Sequence, residues 1–146
     1  ISSEMKFAEA MLAIHQGADE LDMVLNIGAL KEGKDEFLIN EITKIVKASE
    51  KVCIKVIIET CLLTKKEKIH ISKLIKDCGA DFVKTSTGFS KGGAVIEDIK
   101  IIRKAVGNNM GVKASGGIKF LSDVNEMLNA GANRIGTSSG VSILNE

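Results

Sequence analysis

Residues 52–59 read VCIKVIIE, a short apolar run rich in β-branched side chains with one lysine near its centre. A run of this length and composition predicts a strand buried on both faces, as in a parallel sheet. Segments with helical periodicity flank it at residues 37–49 and 65–78. The chain around this run is therefore predicted to fold as helix, strand and helix.

The same alternation continues in both directions along the chain. Helical patterns run from a serine cap at residue 2 or 3 to Gly17, and over residues 96–106 and 122–130. Short apolar runs occupy residues 21–26, 82–85, 112–115 and 134–137. Strands separated by crossover helices must be parallel, with right-handed connections. An α/β fold follows, and on this pattern a closed barrel and an open doubly wound sheet both fit.

Composition excludes several classes of protein. The 146 residues carry a formal net charge of +1 and contain no Trp or Tyr, which offers nucleic acid neither a basic surface nor a stacking platform. No apolar run approaches the ~20 residues that span a membrane. The cysteines, Cys53, Cys61 and Cys78, are odd in number and lack metal-ligand spacing, which favours a reducing cytoplasm. One domain over residues 1–146 is expected, with neither nucleic acid nor membrane as partner.

Charged residues inside the predicted strands are the strongest chemical signal. Lys55, Lys84 and Lys113 each lie among apolar neighbours, and Asp22 adds a carboxylate. An ion pair or solvent explains any single lysine of this kind, but neighbouring ammonium groups lower one another's pKa. A lysine that is neutral near pH 7 is a nucleophile toward carbonyl carbon. The three lysines together therefore favour Schiff-base chemistry.

Period-two alternation places these charges on definite strand faces. If the faces converge, the three cations meet at least two acids. The predicted faces are Asp22, Val24 and Asn26 on one strand, Lys55, Ile57 and Glu59 on the next, and Phe82, Lys84 and Ser86 on the third.

Glycine and hydroxyl residues follow three of the strands. The segments are TSTG at residues 85–88, ASGG at 114–117 and GTSSG at 136–140. Backbone N–H groups freed by glycine, together with serine and threonine hydroxyls, suit a phosphate group. Ordinary turn formation explains any one cluster, but their repetition after parallel strands favours an anion site.

Five segments closely resemble the deoxyribose-phosphate aldolases, a family of class I aldolases. They are GADELDMVLNIGALKEG (17–33), KVIIET (55–60), ADFVKTSTGFSKGGA (80–94), VKASGGIK (112–119) and RIGTSSG (134–140). The resemblance implies the (β/α)8 TIM-barrel fold, with this chain covering about the last five βα units. It also implies reversible cleavage of 2-deoxy-D-ribose 5-phosphate to acetaldehyde and D-glyceraldehyde 3-phosphate through a lysine Schiff base, without a metal or organic cofactor.

The resemblance further implies roles for individual residues. Lys84 matches the Schiff-base lysine, Lys113 the second lysine that keeps its pKa low, and Asp22 the acid that orients a water during proton transfer. The implied substrate and phosphate contacts are Thr87, Gly88, Gly116, Gly117, Ser138 and Ser139.

Three expectations concern residues beside this set. Lys55 is expected to pair with Asp22 or Glu59 and to tune charge rather than to react. Cys61 is expected to be a small buried thiol near the mouth of the barrel. The KKEK segment at residues 65–68 is expected to be a solvated surface.

The resemblance begins at the helix before the family's fourth strand, so the chain is expected to be a fragment of a longer protein. A non-catalytic phosphate-binding fragment, or a half-barrel that needs a partner chain, is the alternative to an enzyme. Another class I aldolase or a phosphosugar isomerase is the enzymatic alternative. The expected partner is a small phosphorylated sugar, and a homo-oligomer stays open.

Overall fold

The computed structural model describes residues 1–49 and 51–146. Within these residues, five parallel strands form one sheet in the order in which they occur along the chain. This confirms the predicted α/β fold and the five βα units expected from a (β/α)8 barrel. The strands are β1 (Glu20–Val24), β2 (Cys53–Ile57), β3 (Phe82–Lys84), β4 (Gly111–Ser115) and β5 (Arg134–Gly136).

Helices precede, connect and follow the strands, with a short 3₁₀ turn at Thr60–Leu62 after β2. No helix in the described part of the chain has both the length and the apolar character that a membrane span requires. The helices are α1 (Ser3–His15), α2 (Ile27–Lys31), α3 (Asp35–Ala48), α4 (Lys65–Asp77), α5 (Ile96–Val106), α6 (Leu121–Asn129) and α7 (Gly140–Leu144).

One face of the sheet packs against the helices and forms the core. Val56, Val83 and Val112 occupy paired positions on β2, β3 and β4, and all three are fully buried. Because side chains alternate along a strand, the residues between them face the opposite side, where the charged groups lie. The helices contribute the buried side chains Leu38, Ile42, Ile45, Ile71, Ile75, Ile99 and Ile102.

The first strand is shorter than predicted, because Asn26 leaves it to cap a helix. β1 ends at Val24, and the Asn26 side chain accepts a hydrogen bond of 3.0 Å from the backbone N–H of Ala29 at the start of α2. Asparagine is a favoured N-cap residue, which explains this early end. The prediction of a strand over residues 21–26 was therefore wrong in its last two residues, and α2 was missed.

The KKEK segment is only partly a solvated surface. The Lys68 side chain is largely buried and donates a short hydrogen bond of 2.5 Å to Asp98, which is also buried. The expectation was wrong for this lysine, since α4 turns it toward α5 instead of toward solvent. Glu67 caps α4 together with Thr64 and pairs with Lys31 at the surface.

An ion pair links the two edge strands of the sheet. Arg134 on β5 donates to both carboxylate oxygens of Glu20 on β1 at 2.7 Å, and its guanidinium lies 4.7 Å from the centre of the Phe82 ring. A flat sheet of five strands would hold these residues far apart. The sheet is therefore strongly curved, with its charged face on the concave side.

Glu20→Gln should lower the stability of the chain at neutral pH more than at acidic pH. Hydrogen bonds from Arg134 and Lys55 lower the pKa of Glu20 from 4.5 to about 2. A lowered carboxyl pKa stabilises the fold above the unfolded value, and this contribution is lost as the pH falls toward the folded value. The loss lies between the unfolded pKa of 4.5 and the folded pKa of about 2. The denaturant midpoints of the variant and the parent should therefore differ less at pH 3 than at pH 7, and an equal difference at both would contradict the link. Glu126→Gln, an exposed change on α6, is the control.

Candidate active site

The sheet places Lys84 and Lys113 side by side. They are register partners on β3 and β4, and their side chains lie on the concave face. Their Nζ atoms lie 3.3 Å and 3.4 Å from the same oxygen, Oδ2 of Asp22 on β1. The structure thus brings the three residues of the predicted catalytic set into one cluster around a single carboxylate.

Lys55 is the third ammonium group of this cluster. Its side chain is buried, with Nζ 2.7 Å from a carboxylate oxygen of Glu20 and 3.6 Å from Oδ1 of Asp22. Of the two partners proposed from the sequence, Asp22 is confirmed and Glu59 is wrong. Glu20 was missed as a partner of Lys55. It lies on the edge strand β1, and it reaches both Lys55 and Arg134 because the sheet is curved.

Burial and neighbouring charges both shift the pKa values of groups in the cluster. Burial raises the pKa of Asp22, but the ammonium groups of Lys84, Lys113 and Lys55 outweigh it, so this pKa lies below its ordinary value. Burial lowers the pKa of Lys113, and the neighbouring lysines lower it further against the opposing effect of Asp22. Asp22 is therefore held ionised, while Lys113 gives up its proton more readily than a surface lysine does.

An open cavity of about 340 Å³ lies next to the two central lysines. Ser139 was predicted to contact phosphate, but it does not line this cavity. It directly precedes α7, and its backbone N–H donates to the Thr137 hydroxyl at 2.9 Å. The other predicted contacts do line it together with Lys84 and Lys113: Thr87, Gly88, Gly116, Gly117 and Ser138.

The glycine turn at residues 116–117 depends on close backbone packing. Both glycines have positive φ, and a Cβ atom placed on Gly93 would lie 2.2 Å from the carbonyl oxygen of Gly116. The Ala94 N–H donates to the carbonyls of Ser115 and Gly116 at 3.0 Å. The segment that follows Lys84 is therefore fixed against the turn that follows Lys113.

Two residues of the site were not assigned to it individually from the sequence. Ser115 lines the cavity and is buried, and its hydroxyl has no hydrogen-bond partner among the described residues. Its position two residues after Lys113, on the same strand face, could have pointed to it. Glu59 was expected only as a possible partner of Lys55, and the structure shows its carboxylate bound to Thr87 at the edge of the cavity.

Cys61 lies in the 3₁₀ turn and is partly buried, with its Sγ 3.3 Å from the Ser90 hydroxyl. No group of three or more His, Cys, Asp or Glu side chains with the geometry of a metal site occurs in residues 1–49 and 51–146.

Comparison with known protein families assigns the chain to a class of aldolases. Residues 2–146 match the model of the DeoC/LacD family of aldolases. The chain belongs to the DeoC/LacD aldolase family.

Relatives within the family make the comparison more specific. The deoxyribose-phosphate aldolase of Thermococcus kodakarensis is 56% identical over 144 residues, which are 97% of this chain and 64% of the relative. The deoxyribose-phosphate aldolase of Dictyoglomus turgidum is 53% identical, over 99% of this chain and 66% of the relative. This chain therefore spans about two thirds of the length of these relatives.

Solved structures show the same arrangement of elements. An aldolase called QR15 superposes with a TM-score of 0.95 at 40% identity, covering 99% of this chain and 66% of that protein. The tetrameric deoxyribose phosphate aldolase of Aeropyrum pernix superposes with a TM-score of 0.90 at 34% identity, covering 99% and 62%.

Proposed function

We propose that this chain carries the catalytic residues of a deoxyribose-phosphate aldolase. The reaction is the reversible cleavage of 2-deoxy-D-ribose 5-phosphate into acetaldehyde and D-glyceraldehyde 3-phosphate. The observation that carries the proposal is the contact of Lys84 and Lys113 with one carboxylate oxygen of Asp22. The family membership and the identity with named relatives support the substrate.

Lys84 is the proposed nucleophile. Its neutral amine adds to the C1 aldehyde of the open-chain sugar, and loss of water from the adduct gives a protonated imine. Lys113 is the proposed second lysine of the pair, with its Nζ 3.4 Å from the Asp22 oxygen that Lys84 also contacts. Asp22 lies within reach of both amines and holds the water that carries protons to and from the adduct.

The imine then acts as the electron sink for carbon–carbon cleavage. The C3 hydroxyl loses its proton, the C2–C3 bond breaks, and its electron pair moves toward the imine nitrogen to give an enamine. D-Glyceraldehyde 3-phosphate leaves with C3 as its aldehyde carbon. Protonation of the enamine at C2 and hydrolysis of the imine release acetaldehyde and regenerate the Lys84 amine.

The far end of the cavity suits the phosphate. Backbone N–H groups at glycines with positive φ form concave sites that bind anions. The proposed contacts are the N–H groups of Gly116 and Gly117 and the hydroxyl of Ser138, all beside the cavity.

A second candidate is a phosphate-binding half-barrel that acts only with a partner chain. Among the described residues, β1 and β5 each pair with one strand, and Val24 on the concave side of β1 is 41% exposed. A partner that supplied further βα units would cover this edge and exclude water from the cluster.

Trapping with borohydride tests the proposal. The chain is incubated with acetaldehyde and sodium borohydride, and peptide mass spectrometry locates any reduced imine. We expect one added ethyl group on Lys84, together with consumption of 2-deoxyribose 5-phosphate in the absence of borohydride. An adduct on another lysine would contradict the assignment. Binding of inorganic phosphate with no adduct would favour the second candidate, the half-barrel that needs a partner chain.

A further inference from the structure

Glu59 is a buried carboxylate that the proposed reaction does not use. It is 5% exposed and follows β2, at the end of the sheet where the cavity opens. Its φ is +50°, the only positive value among the described residues other than glycine. A side chain larger than glycine seldom adopts this conformation, and such residues cluster at functional sites. The conformation turns this residue out of the regular path of the strand.

All hydrogen bonds found for the Glu59 carboxylate come from Thr87. The Thr87 backbone N–H donates to both carboxylate oxygens at 3.3 Å and 3.4 Å, and the Thr87 hydroxyl lies 2.5 Å from Oε2. No lysine, arginine or histidine among the described residues forms an ion pair with Glu59. A carboxylate accepts hydrogen bonds and donates none, so the proton of the Thr87 hydroxyl points at Glu59.

The hydroxyl of Thr87 then has a fixed direction. A hydroxyl group has one proton and two acceptor lone pairs. The proton is used by Glu59, and one lone pair accepts the Phe89 N–H at 3.1 Å. One lone pair remains, on a residue that lines the cavity beside Lys84. Toward a substrate, the Thr87 hydroxyl is therefore an acceptor and not a donor.

We propose that Glu59 is a positioning residue that makes Thr87 select a hydroxyl group on the substrate. The inference rests on the aldolase function proposed above and assigns a partner to one oxygen of the sugar. The C3 oxygen loses its proton during cleavage and becomes a carbonyl oxygen, for which a lone pair is a poor partner. The C4 hydroxyl keeps its proton throughout, so it is the group that donates to the Thr87 oxygen. In the reverse reaction it is the hydroxyl on the carbon next to the carbonyl of the acceptor aldehyde.

A purely structural role for Glu59 makes a different prediction. If the carboxylate only held the segment after Lys84 in place, its loss would slow the reaction of every acceptor aldehyde to the same extent. If it directs the Thr87 proton, its loss affects only acceptors that carry the hydroxyl. Glutamine at this position keeps the shape of the side chain, but its amide group can donate to the Thr87 oxygen and turn the hydroxyl proton toward the cavity.

The test compares two acceptor aldehydes with acetaldehyde as the common donor. D-Glyceraldehyde carries a hydroxyl group next to its carbonyl, and propanal lacks it. The parent protein is the longest chain that the gene encodes. In Glu59→Gln we expect addition to D-glyceraldehyde to fall by about 10- to 100-fold, as for a buried hydroxyl left without its hydrogen-bond partner. Addition to propanal should stay close to the parent rate. Glu126→Gln, the same chemical change at an exposed position of α6, should alter neither.

Thr87→Val provides a second measurement if Glu59→Gln fails to fold. It removes the hydroxyl and should lose the preference for D-glyceraldehyde in the same way. Equal losses with both acceptors, or no loss with either, would overturn the inference. A parent that forms no borohydride-trapped imine with acetaldehyde, measured before any acceptor is added, would refute the aldolase function itself. A parent that forms the imine but shows no preference for D-glyceraldehyde would overturn the role of Glu59 alone.

Discussion

Replacing Lys84 by arginine should reduce cleavage of 2-deoxyribose 5-phosphate by at least about 10³-fold, because it removes the proposed nucleophile. A guanidinium group stays protonated at all accessible pH values and cannot form the imine. The positive charge beside Asp22 is retained, so the ion pair that Lys84 makes at 3.3 Å keeps a cationic partner. The loss should therefore reflect chemistry and not unfolding.

Two measurements separate these effects. Circular dichroism and the denaturant midpoint of Lys84→Arg should match the parent, while the borohydride adduct with acetaldehyde should disappear. Lys100→Arg, at an exposed position of α5, is the matched control and should retain both activity and adduct. Normal turnover in Lys84→Arg would show that another group carries the reaction.

Asp22→Asn should lower turnover by about 10²-fold or more, the usual contribution of a positioned proton-transfer group. The variant keeps the shape of the side chain but removes the charge shared by Lys84, Lys113 and Lys55. Without that charge, the three ammonium groups repel one another across the concave face. The neutral amide also cannot accept a proton, so the proton transfer proposed for Asp22 would be lost.

The same substitution should lower stability in a pH-dependent way. Because the pKa of Asp22 lies below its ordinary value, the ionised group stabilises the fold at neutral pH, and this contribution is lost as the pH falls through the folded pKa. A third of the side chain is exposed, so solvent screening limits the effect to about 1 kcal/mol. Denaturant midpoints at pH 7 and pH 3 measure this loss of stability, with Asp77→Asn as the exposed control.

For the catalytic prediction, turnover of Asp22→Asn equal to that of the parent would contradict the role proposed for Asp22.

The fold could be predicted because its signals are local. Apolar runs with helical segments between them indicated five parallel strands, and only their ends were misplaced. β1 ended early since Asn26 caps the next helix, and β2 ended early at Ile57, with Glu59 adopting a positive φ after it. These ends depend on hydrogen bonds to backbone groups that periodicity does not describe.

The site could be predicted only in part. Alternation along the strands gave faces for Asp22, Lys55 and Lys84, whereas the role of Lys113 came from the family resemblance. The parallel register of β3 and β4 is what sets Lys84 and Lys113 side by side. The partners of Lys55 and Glu59 depend instead on the curvature of the sheet and on the path of the segment after β3. Glu20 reaches Lys55 and Arg134 from the edge of a curved sheet, and no spacing along the chain encodes that curvature.

The ion pair between Glu20 and Arg134 also bears on how the chain folds. It joins residues 114 positions apart, whereas each pair of neighbouring strands is joined by a much shorter segment. Closing a long loop costs more chain entropy than closing a short one, so neighbouring βα units are expected to dock first. The contact between β1 and β5 is therefore expected to form after the strands between them have docked. A spectroscopic probe at Glu20 or Arg134 would report when the sheet over residues 20–136 reaches its full curvature.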